Sequence, residues 1–137
     1  MKDHLNKTLQ QVTAQIVTCQ ACELSGMCRS PIPISVPAPR SVGISLIQDV
    51  QYMVLGEAPG RIEDHRGKPF VGPAGQLMRG SLKRAGLNPN EAAFLNVVCC
   101  YPRGTPATEH VNACRINLYD QLSVFPGKVV LVAGAVA

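Results

Sequence analysis

The 137-residue sequence contains no tryptophan, three phenylalanines and three tyrosines, and no unbroken apolar run of the roughly eighteen residues needed to cross a bilayer. No transmembrane helix and no membrane partner are therefore expected. The opening MKDHLNKTLQQ has no apolar segment ahead of a small-residue cleavage site, so no secretory signal is expected either. Gly-x-Gly-x-x-Gly is absent, which excludes the dinucleotide fingerprint, and no Gly-Lys-Ser/Thr follows a glycine-rich turn, which excludes a P-loop. Charged residues are scarce at 16%, against 46% hydrophobic, a balance that suits a globular chain and not a disordered one. Acidic residues number 9 against 13 basic, leaving +4, which suits an anionic partner without requiring one. The length fits a single domain over 1–137.

What the chain does hold is six cysteines and a dense set of 12 glycines and 11 prolines. Leu5, Leu9, Val12 and Ile16 recur on one helical face, so residues 3–18 are expected to be an amphipathic helix that runs into Cys19-Gln20-Ala21-Cys22. Pro31, Pro33, Pro37 and Pro39 forbid a regular helix or a central strand between Cys28 and about Asp49. Tyr52–Leu55 then reads as a buried strand stopped by Gly56. Ala74–Ala85 reads as a helix with Leu77, Met78, Leu82 and Ala85 on one face. Ala93–Val98 reads as a second strand. Thr108 is expected to cap a helix whose apolar face is Val111, Cys114, Leu118 and Leu122. Val129–Val132, apolar throughout, reads as a parallel strand covered on both faces. Strand, helix, strand, helix, strand implies an α/β fold with a parallel sheet. Three strands with no helix after the last are few for that architecture, so a last helix and strand are expected to be missing. The strand edge left open is expected to be available to a protein partner.

Cys19-x-x-Cys22 at a helix end can place two thiolates on one metal centre, with Cys28, Cys99, Cys100 and Cys114 as candidates for the rest. Without a secretory signal, metal ligation or free thiols are favoured over disulfides, although Cys114 could equally be a core residue. Four thiolates suit an iron–sulfur cluster or structural zinc; the lack of a second C-x-x-C favours a cluster.

Gly56-Glu57-Ala58-Pro59-Gly60 follows the first strand directly, where open α/β sheets bind ligands, so Glu57 is either a ligand-facing carboxylate or a solvated turn residue. Phe70 lies in a loop rich in glycine and proline, next to Arg66 and Lys68. It reads as a base-stacking platform beside phosphate contacts, or as a loop anchor.

Taken together, Cys19-x-x-Cys22, Gly56–Gly60, Glu63-Asp64, Gly67-Lys-Pro-Phe-Val-Gly-Pro-Ala-Gly75, Asn96-Val-Val-Cys-Cys-Tyr-Pro102 and Cys114-Arg115 resemble the family 4 uracil-DNA glycosylases, the iron–sulfur branch of their superfamily. The matching segments span nearly the whole chain in the family's order. The resemblance implies a three-layer α/β/α fold and excision of uracil from single- or double-stranded DNA during base excision repair. It implies a 4Fe–4S cluster on Cys19, Cys22, Cys100 and Cys114, leaving Cys28 and Cys99 as spare thiols. It implies that Glu57 acts at the glycosidic bond, that Gly56, Ala58, Pro59 and Gly60 shape the binding loop, that Phe70 stacks on the flipped base and that Asn96 reads its edge. Glu63 falls near the base C5, where a thymine methyl would sit. Arg61, Arg66, Lys68, Arg79, Lys83, Arg84 and Arg103 are the expected phosphate contacts. The setting it implies is the cytoplasm of a bacterial, archaeal or phage-infected cell.

The sequence departs from that family in one respect that bears on catalysis. Its histidines are His4, His65 and His110, none followed by proline, so the late His-Pro-Ser motif has no counterpart. Weak or absent activity is expected unless a second polypeptide supplies that part. The alternative is a non-catalytic 4Fe–4S module that binds DNA or a replication protein, such as a phage replication-associated protein.

Overall fold

A computed structural model describes residues 7–37 and 49–134. Helix α1 spans Leu9–Val17 and begins at Thr8. The Thr8 hydroxyl accepts the Gln11 N–H at 3.2 Å, and the Gln11 side chain accepts the Thr8 N–H at 2.9 Å, closing the first turn from both sides. Val12 and Ile16 are fully buried and Leu9 packs beside them. Leu5, on the same expected face, lies outside the described residues, as do His4 and Pro39.

The sheet consists of β1 (Tyr52–Gly56), β2 (Ala92–Asn96) and β3 (Val129–Val132), all parallel, in the order β2-β1-β3. Alternation along β1 and β2 divides the core. Met53, Leu55, Ala93 and Leu95 face α1 and helix α4 (Thr108–Ser123). Tyr52, Val54, Ala92 and Phe94 face helix α3 (Pro73–Arg84) through Leu82 and Met78. Helices on both faces of a parallel sheet give the expected three-layer α/β/α fold. Each fully buried side chain such as Leu95 contributes about 1.5–3 kcal/mol to holding the layers together.

The proline-rich segment forms no helix among the described residues. It dresses the outer edge of β2: Ser35 and Phe94 exchange both backbone hydrogen bonds at 2.9 Å, and the Ile32 N–H donates to the Cys99 carbonyl at 2.8 Å.

Four sequence expectations need correction. On α3, Leu77 is 67% exposed and Ala85 is exposed; the inward stripe is Gly75 and Leu82, both buried, with Met78 half-buried, because β1 and β2 present a narrower apolar face than the sequence implied. Helix α4 starts at Thr108 with Ala107 as its cap, and His110 Nδ1, not a threonine hydroxyl, takes the free Ala107 N–H at 3.1 Å. Strand β3 is not covered on both faces: Val129 is 66% and Val132 57% exposed, because its pairing with β1 satisfies one edge and covers neither face. Finally, a short helix, α2 (Arg61–Arg66), occupies part of what reads as loop. It is too short for an apolar periodicity to reveal it, and it ends at Gly67, whose φ of 71° favours glycine.

Candidate functional site

The three parallel strands end side by side, and β1 and β2 end in register at Gly56 and Asn96. The chain leaves β1 through Glu57, whose carbonyl accepts the Val98 N–H at 3.0 Å, while the Gly56 carbonyl accepts that of Val97 at 2.9 Å. The motif loop is thereby stitched to the chain leaving β2. A cleft of about 220 Å³ opens there, lined by Gly56, Glu57, Ala58, Glu63, Phe70, Gly75 and Asn96 among others. Pro59 is buried and Gly60 caps α2.

Gly56 is needed for this convergence. A Cβ on it would stand 2.6 Å from the tip of the Phe70 ring and 2.7 Å from Asn96 Oδ1. Asn96 is 6% exposed, yet its amide makes no hydrogen bond among the described residues, and the same is true of the Glu57 carboxylate. Both polar groups therefore reach the cleft with their bonding capacity unspent. Glu63 differs. Its Oε1 accepts the Gly60 N–H at 3.2 Å, and its Oε2 accepts those of Val71 at 3.1 Å and Gly72 at 2.6 Å. One carboxylate thus ties the motif loop to the loop that carries Phe70.

Phe70 itself has a φ of 56°, a left-handed backbone that a bulky residue adopts only when its surroundings hold it. Its ring leans on Phe94, with centroids 5.2 Å apart and planes at 45°. Arg79, expected at a phosphate, instead lies 4.1 Å over the Phe94 ring and donates from Nε to the Phe70 carbonyl at 3.2 Å. Burial lowers the Arg79 pKa from its ordinary value. The other expected phosphate contacts, Arg61, Arg66, Lys68, Lys83, Arg84 and Arg103, are exposed.

On the opposite side of the sheet, Cys19, Cys22, Cys99, Cys100 and Cys114 line one small cavity together with Asn117. Cys28 lies against the Cys100 thiol. All six are free thiols. Burial and the bond to Cys28 push the Cys100 thiol up. Cys99 is pushed up too, by its thiol bond to Cys114 and by burial. The same bond, with the Cys99 backbone N–H at 3.3 Å and the Asn117 amide, lowers Cys114 to about 6. Among the described residues no group of three or more His, Cys, Asp or Glu is disposed to hold a single metal ion. A cluster is larger than one ion and needs its thiolates farther apart. Five of the cavity's eleven lining residues are cysteines, and an amide N–H faces two of their sulfurs: Asn117 Nδ2 reaches Cys19 Sγ at 3.5 Å and Cys114 Sγ at 3.9 Å. Sulfur donors facing N–H groups fit a thiolate-ligated cluster.

The sequence reading missed the polar face of α4. Asn117, Asp120 and Gln121 are all buried. Gln15 Nε2 donates to Asn117 Oδ1 at 3.0 Å and to Asp120 Oδ2 at 2.9 Å, and Lys7 Nζ lies 3.0 Å from Asp120 Oδ2. Gln121 Oε1 accepts the Ile34 N–H at 2.8 Å, and its Nε2 faces Cys99 Sγ at 3.7 Å. The signal was present: Cys114, Asn117 and Gln121 recur at helical spacing, but apolar periodicity alone passes over them.

Comparison with known proteins agrees with this arrangement. A family model for the uracil DNA glycosylase superfamily matches residues 45–137, which hold all three strands and every cleft residue named above. The chain is similar to a type-4 uracil-DNA glycosylase of Pyrobaculum aerophilum, 32% identical over 94% of this chain and 62% of that protein. It is likewise similar to those of Archaeoglobus fulgidus, 31% identical over 96% of this chain and 62% of the relative, and Thermotoga maritima, 36% identical over 65% and 47%. The chain thus spans about three fifths of the length of the first two. With the matched segment carrying the sheet, the strand-end cleft and the loops that line it, the chain belongs to the uracil DNA glycosylase superfamily.

Proposed function

We propose that residues 1–137 act as one unit that recognises uracil extruded from DNA and promotes hydrolysis of its N-glycosidic bond. The observation that carries this reading is the meeting of an aromatic ring, an unspent side-chain amide and an unspent carboxylate in one cleft at the strand ends.

Extruding a base costs a few kcal/mol of lost stacking and pairing. Stacking on Phe70 returns about 1–3 kcal/mol of that. The Asn96 amide offers one donor and one acceptor, which match the O4 and N3–H of uracil. Cytosine presents the reverse pattern and would leave both groups unpaired in a confined site. Glu57 lies where a sugar would enter. Its carboxylate, directly or through a water that it holds, favours the positive charge that builds on the sugar as the bond breaks. Glu63 narrows the cleft by fixing the loop on the C5 side of the base. The exposed basic residues, Arg61, Arg66, Lys68, Lys83, Arg84 and Arg103, meet phosphates.

No cationic or imidazole side chain lines the cleft among the described residues, so the leaving uracil anion has few donors. One missing donor of that kind costs roughly 10²–10³ in rate. Excision by this chain is therefore slow. The same observation favours a second reading, a non-catalytic uracil- or DNA-binding module.

Cys19, Cys22, Cys100 and Cys114 would hold a 4Fe–4S cluster, with Asn117 donating to two of the sulfurs. A cluster held there would cross-link the chain before β1 to the chain after β2. Six free thiols suit a reducing cytoplasm.

Incubation with a uracil-containing oligonucleotide, followed by alkali cleavage of abasic sites, tests the catalytic reading. Product that disappears in Glu57→Ala and Asn96→Ala is the expected result. No product at high protein excess, from folded and iron-loaded protein that still binds the oligonucleotide, moves the assignment to the binding module.

A further inference from the structure

We propose that Arg79 is a positioning residue that fixes Phe70 as the stacking platform of the cleft, and not a phosphate contact. The inference deepens the uracil reading, on which the role of Phe70 rests.

A left-handed backbone at a phenylalanine is disfavoured unless its neighbours impose it. Here they act from three sides. Arg79 Nε donates to the Phe70 carbonyl at 3.2 Å. Glu63 Oε2 holds the next two N–H groups, of Val71 and Gly72. Gly75 comes so close that a Cβ on it would overlap the Phe70 backbone carbonyl. Arg79 follows Gly75 by one helical turn on the same face of α3, so helix and loop meet at two successive turns.

The guanidinium does two things at once. Its Cζ lies 4.1 Å from the centroid of Phe94, the ring against which Phe70 leans at 5.2 Å, and its Nε donates to the Phe70 carbonyl. Arg79 therefore links the backbone of Phe70 to the ring that supports it. A side chain engaged in this way, and half-buried, is poorly placed to follow a phosphate. A ring already held in one orientation loses little freedom when a base stacks on it, so more of the stacking energy appears as affinity.

The test uses protein with 4-fluorophenylalanine at its three phenylalanine positions, which gives three ¹⁹F resonances assigned by single Phe→Leu variants. Arg79→Met keeps the length but removes the donor and the charge. Arg79→Lys keeps the charge but loses the planar stack, and it serves also if the methionine variant folds poorly. Both are expected to broaden or split the Phe70 resonance. Both should reduce the preference for a uracil-containing single strand over one with an abasic residue at that position by about tenfold. The slope of log affinity against log salt should stay unchanged in Arg79→Met. An unaltered Phe70 resonance in both variants overturns the proposal. So does a salt slope shallower by about 0.7 in Arg79→Met, the signature of one lost phosphate contact on a single strand. If Phe70→Leu leaves the uracil preference intact, the stacking role itself fails, while the ¹⁹F readout still decides for or against Arg79.

Discussion

The tip of the Phe70 ring and Oδ1 of Asn96 converge on the same side of Gly56, at 2.6 Å and 2.7 Å from where a Cβ would stand. A ring from a loop and an amide from a strand end can share that space only because β1 ends in a residue with no side chain. The cleft is thus built around a missing methyl group, and its shape should respond to one.

Gly56→Ala puts that methyl against two side-chain tips, which can move aside. The expected cost in stability is about 1–3 kcal/mol, as for overpacking. The loss in affinity for a uracil-containing oligonucleotide should be at least about tenfold, since both contacts to the base are displaced together. Urea unfolding and fluorescence anisotropy measure the two effects, and affinity equal to that of the parent would contradict the shared-space geometry.

Gly75→Ala meets backbone instead of side-chain tips, since its Cβ would overlap the Phe70 carbonyl carbon and oxygen. Backbone yields less readily, so this variant should be the less stable of the two, at or above the upper end of the same range. Gly67→Ala, by contrast, has open space around its Cβ and pays only for its left-handed backbone, about 1 kcal/mol. A thermal-melt series that does not rank Gly67→Ala, Gly56→Ala, Gly75→Ala in increasing order of damage would argue against this account of the loop.

Asn96→Asp keeps the shape of the side chain but replaces its donor with a second acceptor. Uracil O4 then faces a carboxylate oxygen. Discrimination between uracil and cytosine should fall by about 10-fold or more, while affinity for DNA without uracil stays close to parental. Competition binding with matched oligonucleotides reads this directly; unchanged discrimination would remove Asn96 from base reading.

How much of this was visible beforehand varies by element. The three strands, α3 and α4 were legible because their apolar runs have the right periods, with Gly56 and Gly86 marking where β1 and α3 stop. All six cysteines were legible as candidate ligands, because Cys is chemically unmistakable wherever it falls, but that Cys19, Cys22, Cys99, Cys100 and Cys114 line one cavity was not. Leu77 was misplaced because periodicity gives a helix face but not the width of the sheet that it meets. Strand β3 was misjudged because an apolar run reports what a strand can bury, not what lies over it. The polar face of Asn117, Asp120 and Gln121 shows a helical spacing in the sequence, but its burial does not: each residue is buried because a partner on α1 or the proline-rich segment satisfies it, and the partner is far away in sequence. Arg79 illustrates the same point, since a basic residue on a helix reads as a phosphate contact until an aromatic ring appears beneath it.

Of the cysteines, Cys100→Ser should lose iron and the broad visible absorbance expected of a 4Fe–4S protein, whereas Cys28→Ser, altered at a thiol that only flanks Cys100, should keep both. Metal analysis after anaerobic purification checks this. Iron lost from Cys28→Ser and kept in Cys100→Ser would exchange the roles assigned to them, equal loss would contradict the distinction between them, and zinc in place of iron would overturn the cluster.

Lys7→Met removes the cation 3.0 Å from Asp120, whose side chain is fully buried. Gln15 continues to donate to the same oxygen, so the loss should be about 1–3 kcal/mol and not the larger cost of an isolated buried charge. A shift in urea midpoint of that size, with uracil binding unaffected, is expected; a negligible shift would mean that the pair contributes little.

The cysteine cavity also has a topological consequence. Cys19 and Cys22 precede β1, while Cys100 and Cys114 follow β2, so every cleft residue from Gly56 to Asn96 lies on the loop of chain that those thiols enclose. Joining the two ends of such a loop reduces the freedom of the unfolded chain in the way a long-range disulfide does. The residues proposed to read the base stand inside the span that a cluster on these four cysteines would close. If a cluster is bound there, its oxidative loss should be felt in the cleft first as faster local unfolding of the β1–β2 region, well before any change at Glu57, Phe70 or Asn96 themselves.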